Sequence, residues 1–246
     1  TTPDYGYFSG QANTKNWQVG NGTYGESYQT PNPGDYRTSY DHLLTTAKQS
    51  GITPVNMTTI CDPNNCDLST PLTGGTLDHG VYNMDGNLTM SASDFTFPAG
   101  QNYVILVNGN LTIQGKILLG LGSTVTFSAS GNINVDGAVG ETVTSSLSPD
   151  LEGFYSTDKS MILETAANPP GTCNPDGSSN DKRLNIVGSV VVGANGDTTG
   201  RFQNQRDLCS ADLTCSTVTI TTDPLQILNA PSFIKHQNYV WTEVNP

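Results

Sequence analysis

The chain has 246 residues, with 22 acidic side chains against 10 basic ones, a formal net charge of -12, and only 13% of positions charged at all. Nucleic acid is excluded as a partner, because ten scattered Lys and Arg cannot displace counterions as a phosphate-binding footprint must. Thr, Ser, Asn and Gly fill 102 of the 246 positions, a Lys-poor, Thr-rich and Gly-rich mixture that points to folded, mostly β structure rather than disorder.

The longest apolar runs, 103–107 and 117–119, fall far short of the roughly 18 residues a bilayer crossing needs, so no membrane span is expected in this chain. Thr1-Thr2-Pro3-Asp4 has neither the basic nor the apolar part of a signal peptide, so any such peptide is expected to lie outside this chain or to have been removed. Residues 1–35, rich in Gly, Asn and Tyr, read as an irregular N-terminal arm. Residues 38–51 read as a helix of about three turns, with Thr or Ser as N-cap, Tyr40, Leu43, Leu44 and Ala47 on one face, and Gly51 as terminator. Such a helix would cap an open sheet end and block edge-to-edge pairing.

Cys61 and Cys66 enclose the turn-rich Asp62-Pro63-Asn64-Asn65, a loop short enough to close as a disulfide. A second close pair, Cys209 and Cys215, is expected to do the same. Cys173 is then left over, and its pairing with Cys209 or Cys215 instead stays open. Zinc is not expected, since His42, His79 and His236 adjoin no cysteine at ligand spacing.

The middle of the chain repeats. Gly86-Asn87-Leu88-Thr89-Met90 returns as Gly109-Asn110-Leu111-Thr112-Ile113 and as Gly131-Asn132-Ile133-Asn134-Val135. Another step reaches Gly153, and a longer one Gly188, its excess attributed to a Pro, Gly, Ser and Asp-rich insert at 168–182. Within each unit the apolar positions alternate, as in Leu111 and Ile113, which is the period of a half-buried strand. The predicted fold is all-β: a short parallel β-helix, or β-solenoid, with coils of about 22 residues, one short capping α-helix and the irregular arm. Residues 1–60 form arm and cap, 61–200 the coils with the 168–182 insert, and 201–246 C-terminal strands closing the same domain. Those strands are placed at 218–222, 225–228 and 239–244.

The order of Asp85-Gly86-Asn87-Leu88-Thr89, Tyr103 to Ile113 and Gly131-Asn132-Ile133, followed by Leu151-Glu152-Gly153-Phe154-Tyr155, Arg206-Asp207-Leu208, Leu228-Asn229-Ala230-Pro231 and Trp241 to Pro246, resembles secreted β-solenoid surface proteins of ultrasmall candidate-phylum bacteria. The likeness extends upstream to Lys15-Asn16-Trp17 and Ser39-Tyr40-Asp41, and it breaks at the 209–215 segment. It implies an extracellular, cell-surface location and supplies no catalytic residues.

Asp78, His79, Asp85 and Asp94 are the candidates for reactive chemistry, but their spacing scatters them rather than stacking them. Lys182, Arg183, Arg201, Arg206 and Asp207 read as structural salt-bridge partners. The 174–181 loop is rich in oxygen ligands for calcium; an EF-hand register counted from Asp176 puts Asp181 and Val187 where Gly and Glu are required, so that motif fails and a looser calcium site stays open. Thr124-x-Thr126 resembles an ice-binding step without its repetition. The expected function is therefore a non-enzymatic extracellular structural subunit of a surface layer, filament or appendage, with no catalytic residue, metal or cofactor. Its expected partner is itself, through anchors Tyr5, Tyr7, Phe8 and Trp17. Two alternatives stand behind it. One is an adhesin binding surface glycans through Tyr24, Tyr28, Tyr36 and Tyr40, and the other a polysaccharide-degrading enzyme using Asp85 and Asp94.

Overall fold

The computed structural model describes residues 38–73, 77–167, 172–174, 176, 179–209, 211 and 215–235. The assembly anchors Tyr5, Tyr7, Phe8 and Trp17, the aromatics Tyr24, Tyr28 and Tyr36, and the 239–244 strand lie outside the described residues.

Helix α1 (Tyr40–Gln49) starts where Ser39 accepts a hydrogen bond from the His42 N–H, and Gly51 follows its end in the left-handed region at φ +77°. Strands β1 (Val55–Asn56), β2 (Gly80–Asp85), β3 (Leu88–Met90), β4 (Phe95–Phe97), β5 (Asn102–Asn108), β6 (Leu111–Ile113), β7 (Ile117–Leu119), β8 (Thr124–Ala129) and β9 (Ile133–Val135) follow, with a short helix α2 (Ser69–Thr73) between β1 and β2. After a loop come β10 (Leu151–Thr157), β11 (Met161–Leu163), β12 (Leu184–Val192), β13 (Phe202–Asn204) and β14 (Val218–Thr221), then helices α3 (Pro224–Asn229) and α4 (Ser232–Lys235).

All strand pairs are parallel. One nine-stranded sheet runs β1-β2-β5-β8-β10-β12-β14, with β4 and β7 joined to it through β10. A separate five-stranded sheet runs β13-β11-β9-β6-β3. Between them lies one apolar core that includes Tyr82, Tyr103, Ile105, Phe127, Leu111, Ile133, Leu151 and Tyr155.

The predicted fold class is corrected by this topology. The described residues are mostly sheet with four α-helical segments, arranged as a half-barrel parallel sheet and a second parallel sheet, an α/β-like arrangement rather than a β-solenoid. Two physical causes overturn the uniform 22-residue coil. The third strand of the repeat exists only as β4 and β7, and β7 then pairs directly with β10. The offset between bonded neighbours also grows, from 23 and 22 residues at Asn87, Asn110 and Asn132, to 28 between Asn132 and Ser160, and to 35 between Asp150 and Asn185.

Gly153 is consequently not a repeat start. It lies inside β10, where a Cβ would run into Val125, and it pairs in register with Gly188 of β12. The C-terminal reading is corrected too, because 225–228 is helical. Asp223 accepts from the Leu225 N–H at 2.9 Å and Pro224 opens the helix, a start signal in which Pro has no N–H to leave unsatisfied. Helix α1 does not cap a sheet end either. Its Tyr40, Leu43 and Ala47 pack with Val81, Val104, Leu106 and Phe233, covering the face of β2 and β5 that points away from the main core.

Candidate functional site

Lys116 is the only Lys or Arg between residues 49 and 158, and the fold delivers it to two carboxylates. It immediately precedes β7, and Asp150 immediately precedes β10. The pairing of these strands sets Ile117 against Leu151, with the Ile117 N–H donating to the Asp150 carbonyl at 2.9 Å. Glu141 arrives on a separate tie: it exchanges backbone hydrogen bonds with Arg183 at 2.8 and 3.0 Å. Gly140 permits this approach, since at φ +136° a Cβ there would stand 2.4 Å from the Arg183 carbonyl oxygen.

Lys116 Nζ lies 2.9 Å from Asp150 Oδ1 and donates to Glu141 Oε1. The Asp150 side chain is fully buried, whereas Lys116 and Glu141 are 22% and 23% exposed. Asp150 is held on its other oxygen by the Asn185 N–H at 2.9 Å, while its own N–H donates to the Asn185 carbonyl. Asn185 in turn donates to the carbonyls of Ser146 and Ser148 and accepts from Thr219, and Arg183 donates to the Thr144 carbonyl. Together these bonds pin the 139–149 loop over the start of β12.

Burial raises the Asp150 carboxyl, with Lys116 and the Asn185 N–H pulling the other way. Burial alone would lower Lys116, but its two carboxylate partners outweigh that and hold the ammonium above the ordinary lysine value. Both directions describe one arrangement, an ammonium shared by two carboxylates. The trio escaped sequence reasoning because its members lie far apart in the chain. The available signal was the solitary Lys116 in an otherwise cation-free stretch.

The residues singled out from sequence are dispersed into structural roles. Asp85 accepts from Asn108 at 3.0 Å, Asp94 accepts from the Lys116 N–H at 2.7 Å, and exposed Asp78 and His79 contact each other at 3.1 Å. The repeated asparagines form a ladder: Asn87 accepts from the Asn110 N–H, Asn110 from the Asn132 N–H, and Asn132 from the Ser160 N–H. Tyr40, named for a sugar groove, is buried, with its hydroxyl donating to Asn83. Thr124 and Thr126 are buried as well.

Among the described residues, Arg183, Arg201 and Arg206 each donate to backbone carbonyls. Buried Arg206 donates to the carbonyls of Asp136, Val139 and Lys182 at 2.8, 2.6 and 3.0 Å. Burial pulls this guanidinium down to about 10, against the opposing charges of Asp181, Asp150, Asp136 and Glu164. Exposed Arg201 donates to the carbonyls of Thr198 and Gly200.

Cys61 and Cys66 are bonded, with Cα atoms 5.0 Å apart. The pairing of Cys209 with Cys215 is corrected, because Cys209 bonds Cys173, with Cα atoms 5.8 Å apart. The cause is the insert's anchorage. Buried Asp181 accepts from Thr165, the Ala166 N–H and the Asp207 N–H, and Ser179 donates to the Asp207 carbonyl, so Cys173 is carried to Cys209. The Asp181 carboxylate, part of the suspected calcium loop, is thus spent on protein donors. The Cys173 and Cys209 sulfurs lie within 4.8 Å of an Asp207 carboxylate oxygen, and they are committed to each other as a disulfide.

Compared with models of protein families, with curated proteins and with solved structures, the chain matches none. The two disulfides fit a secreted or otherwise non-cytoplasmic protein, and among the described residues no helix is long and apolar enough to cross a membrane.

Proposed function

We propose that this chain is a non-enzymatic structural subunit of an extracellular surface layer, filament or appendage. The observation that carries the reading is the pair of unlike edges of the nine-stranded sheet. At one end β1 exposes Val55 and Asn56, and at the other β14 exposes Ile220 and Thr221, with β12 as its only strand partner among the described residues. In a parallel sheet these two edges are complementary rather than identical. Joining one copy's β14 to the next copy's β1 is therefore a head-to-tail contact, which propagates as an open filament unless the rotation closes a ring. Disulfides and an acidic composition agree with a chain built for persistence outside the cell. Tyr5, Tyr7, Phe8 and Trp17 are proposed as anchors that strengthen the same contact.

Electron microscopy and light scattering across a concentration series test this. Polymers are expected from the intact chain, and fewer or none from Ile220→Lys, which places a charge on the edge, or from deletion of residues 1–20. Persistent monomers of the intact chain at every concentration would refute self-assembly. Undiminished polymers from either variant would refute the contact it probes.

A further inference from the structure

We infer that Lys116 and Asp150 are the two halves of an intramolecular isopeptide bond, formed by the folded chain itself with Glu141 as the catalytic proton carrier. The amine and the carboxyl oxygen stand 2.9 Å apart, and Glu141 contacts the same nitrogen. Backbone pairing fixes all three: β7 against β10 positions Lys116 and Asp150, and the exchange with Arg183 positions Glu141. A reacting pair held this way has already lost the orientational freedom that makes amide condensation slow between free groups. The fully buried carboxyl is screened from bulk water, while the partial exposure of Lys116 and Glu141 leaves a way out for the water released. A buried ion pair also keeps its desolvation cost for as long as it stays charged, and a neutral amide relieves it.

The step balances without an oxidant or co-reactant. One proton passes from the Lys116 ammonium to the Asp150 carboxylate, giving a neutral amine and a neutral acid. The Nζ lone pair then attacks Cγ of Asp150, forming the C–N bond. Glu141 takes a second proton from the nitrogen and hands it to the hydroxyl departing from Cγ, so the C–O bond breaks, one water leaves and Glu141 is again a carboxylate. The product is a secondary amide that closes a covalent loop between the residue before β7 and the residue before β10. Nothing in this chemistry depends on whether the chain polymerises.

Intact-mass measurement of the folded protein, with disulfides reduced and thiols alkylated, is the test, followed by fragmentation of its proteolytic peptides. The expected result is a chain lighter than its sequence by one water, with a branched peptide joining Lys116 to Asp150. Glu141→Gln should be recovered at full mass, as should Lys116→Met. A succinimide at Asp85-Gly86 would remove the same mass but leave only linear peptides, and that result would overturn the assignment. So would a folded intact chain that remains at full mass after prolonged incubation. Since the branched peptide is read from the unmutated protein, a variant that failed to fold would not remove the test.

Discussion

Asp158 makes the stability of this fold fall as acidity is relieved. Its carboxyl follows β10, is only 4% exposed, and is pushed up to about 6 from an ordinary 3.8. Burial is the largest cause; Asp41 adds to it, while the Tyr40 N–H at the start of α1 and Lys159 oppose it. Because the folded value is raised, the folded chain keeps this proton while the unfolded chain releases it. The stability this one group contributes is therefore full below about pH 4, declines between about pH 4 and 6, and is absent above that window. The separation of about two pH units, at about 1.4 kcal/mol each, makes the loss about 3 kcal/mol. Asp158→Asn keeps an oxygen for the Tyr40 N–H and removes the titration. Urea unfolding of both proteins at pH 3.5, 5 and 7 should show the variant gaining on the parent by about 3 kcal/mol across the series. Using the difference cancels the other raised carboxyls, Asp150 and Glu164, which titrate in both proteins. Parallel stability profiles for the two proteins would refute the reasoning.

Arg206→Met should remove about 3 kcal/mol or more, because three carbonyls lose a buried charged donor; equilibrium denaturation showing a loss below about 1 kcal/mol would contradict that role. Opening the Cys173–Cys209 bond should cost about 4 kcal/mol against about 2 for Cys61–Cys66, from the separations of 36 and 5 residues that they close. Serine substitutions measured by thermal unfolding check the ranking, and a peptide map linking Cys209 to Cys215 would overturn the pairing itself.

Local signals in this sequence are legible where the structure answers locally. Ser39 and Gly51 bracket α1, and the Asn87, Asn110 and Asn132 step is a hydrogen-bonded ladder. Positions governed by distant chain were not legible. Gly153 has the spacing of a repeat start, but the 139–149 loop shifts it into a strand opposite Gly188. The run Tyr103 to Val107 is apolar at every position because both of its faces are covered, Ile105 and Val107 by the main core and Val104 and Leu106 by α1. A continuous run of this kind, in place of alternation, marks a doubly buried parallel strand. The 225–228 strand expected from the sequence is a helix opened by Asp223-Pro224, since Leu225, Ile227 and Leu228 suit either period. The Lys116, Glu141 and Asp150 trio depends wholly on which strands become neighbours, which no window of sequence contains.

The two disulfides sit at opposite margins of the five-stranded sheet. The Cys61–Cys66 loop bonds to β3 through the Cys66 N–H and the Thr89 carbonyl, and Cys209 follows β13 at the other margin. A sheet frays from its outermost strands, which have one neighbour instead of two. Here each margin has a sulfur clip beside it, so the weakest places in the sheet are the ones an oxidising environment reinforces. Reducing agent should accordingly loosen the molecule from both rims inward, leaving the asparagine-laddered centre as the last part to exchange its amide hydrogens.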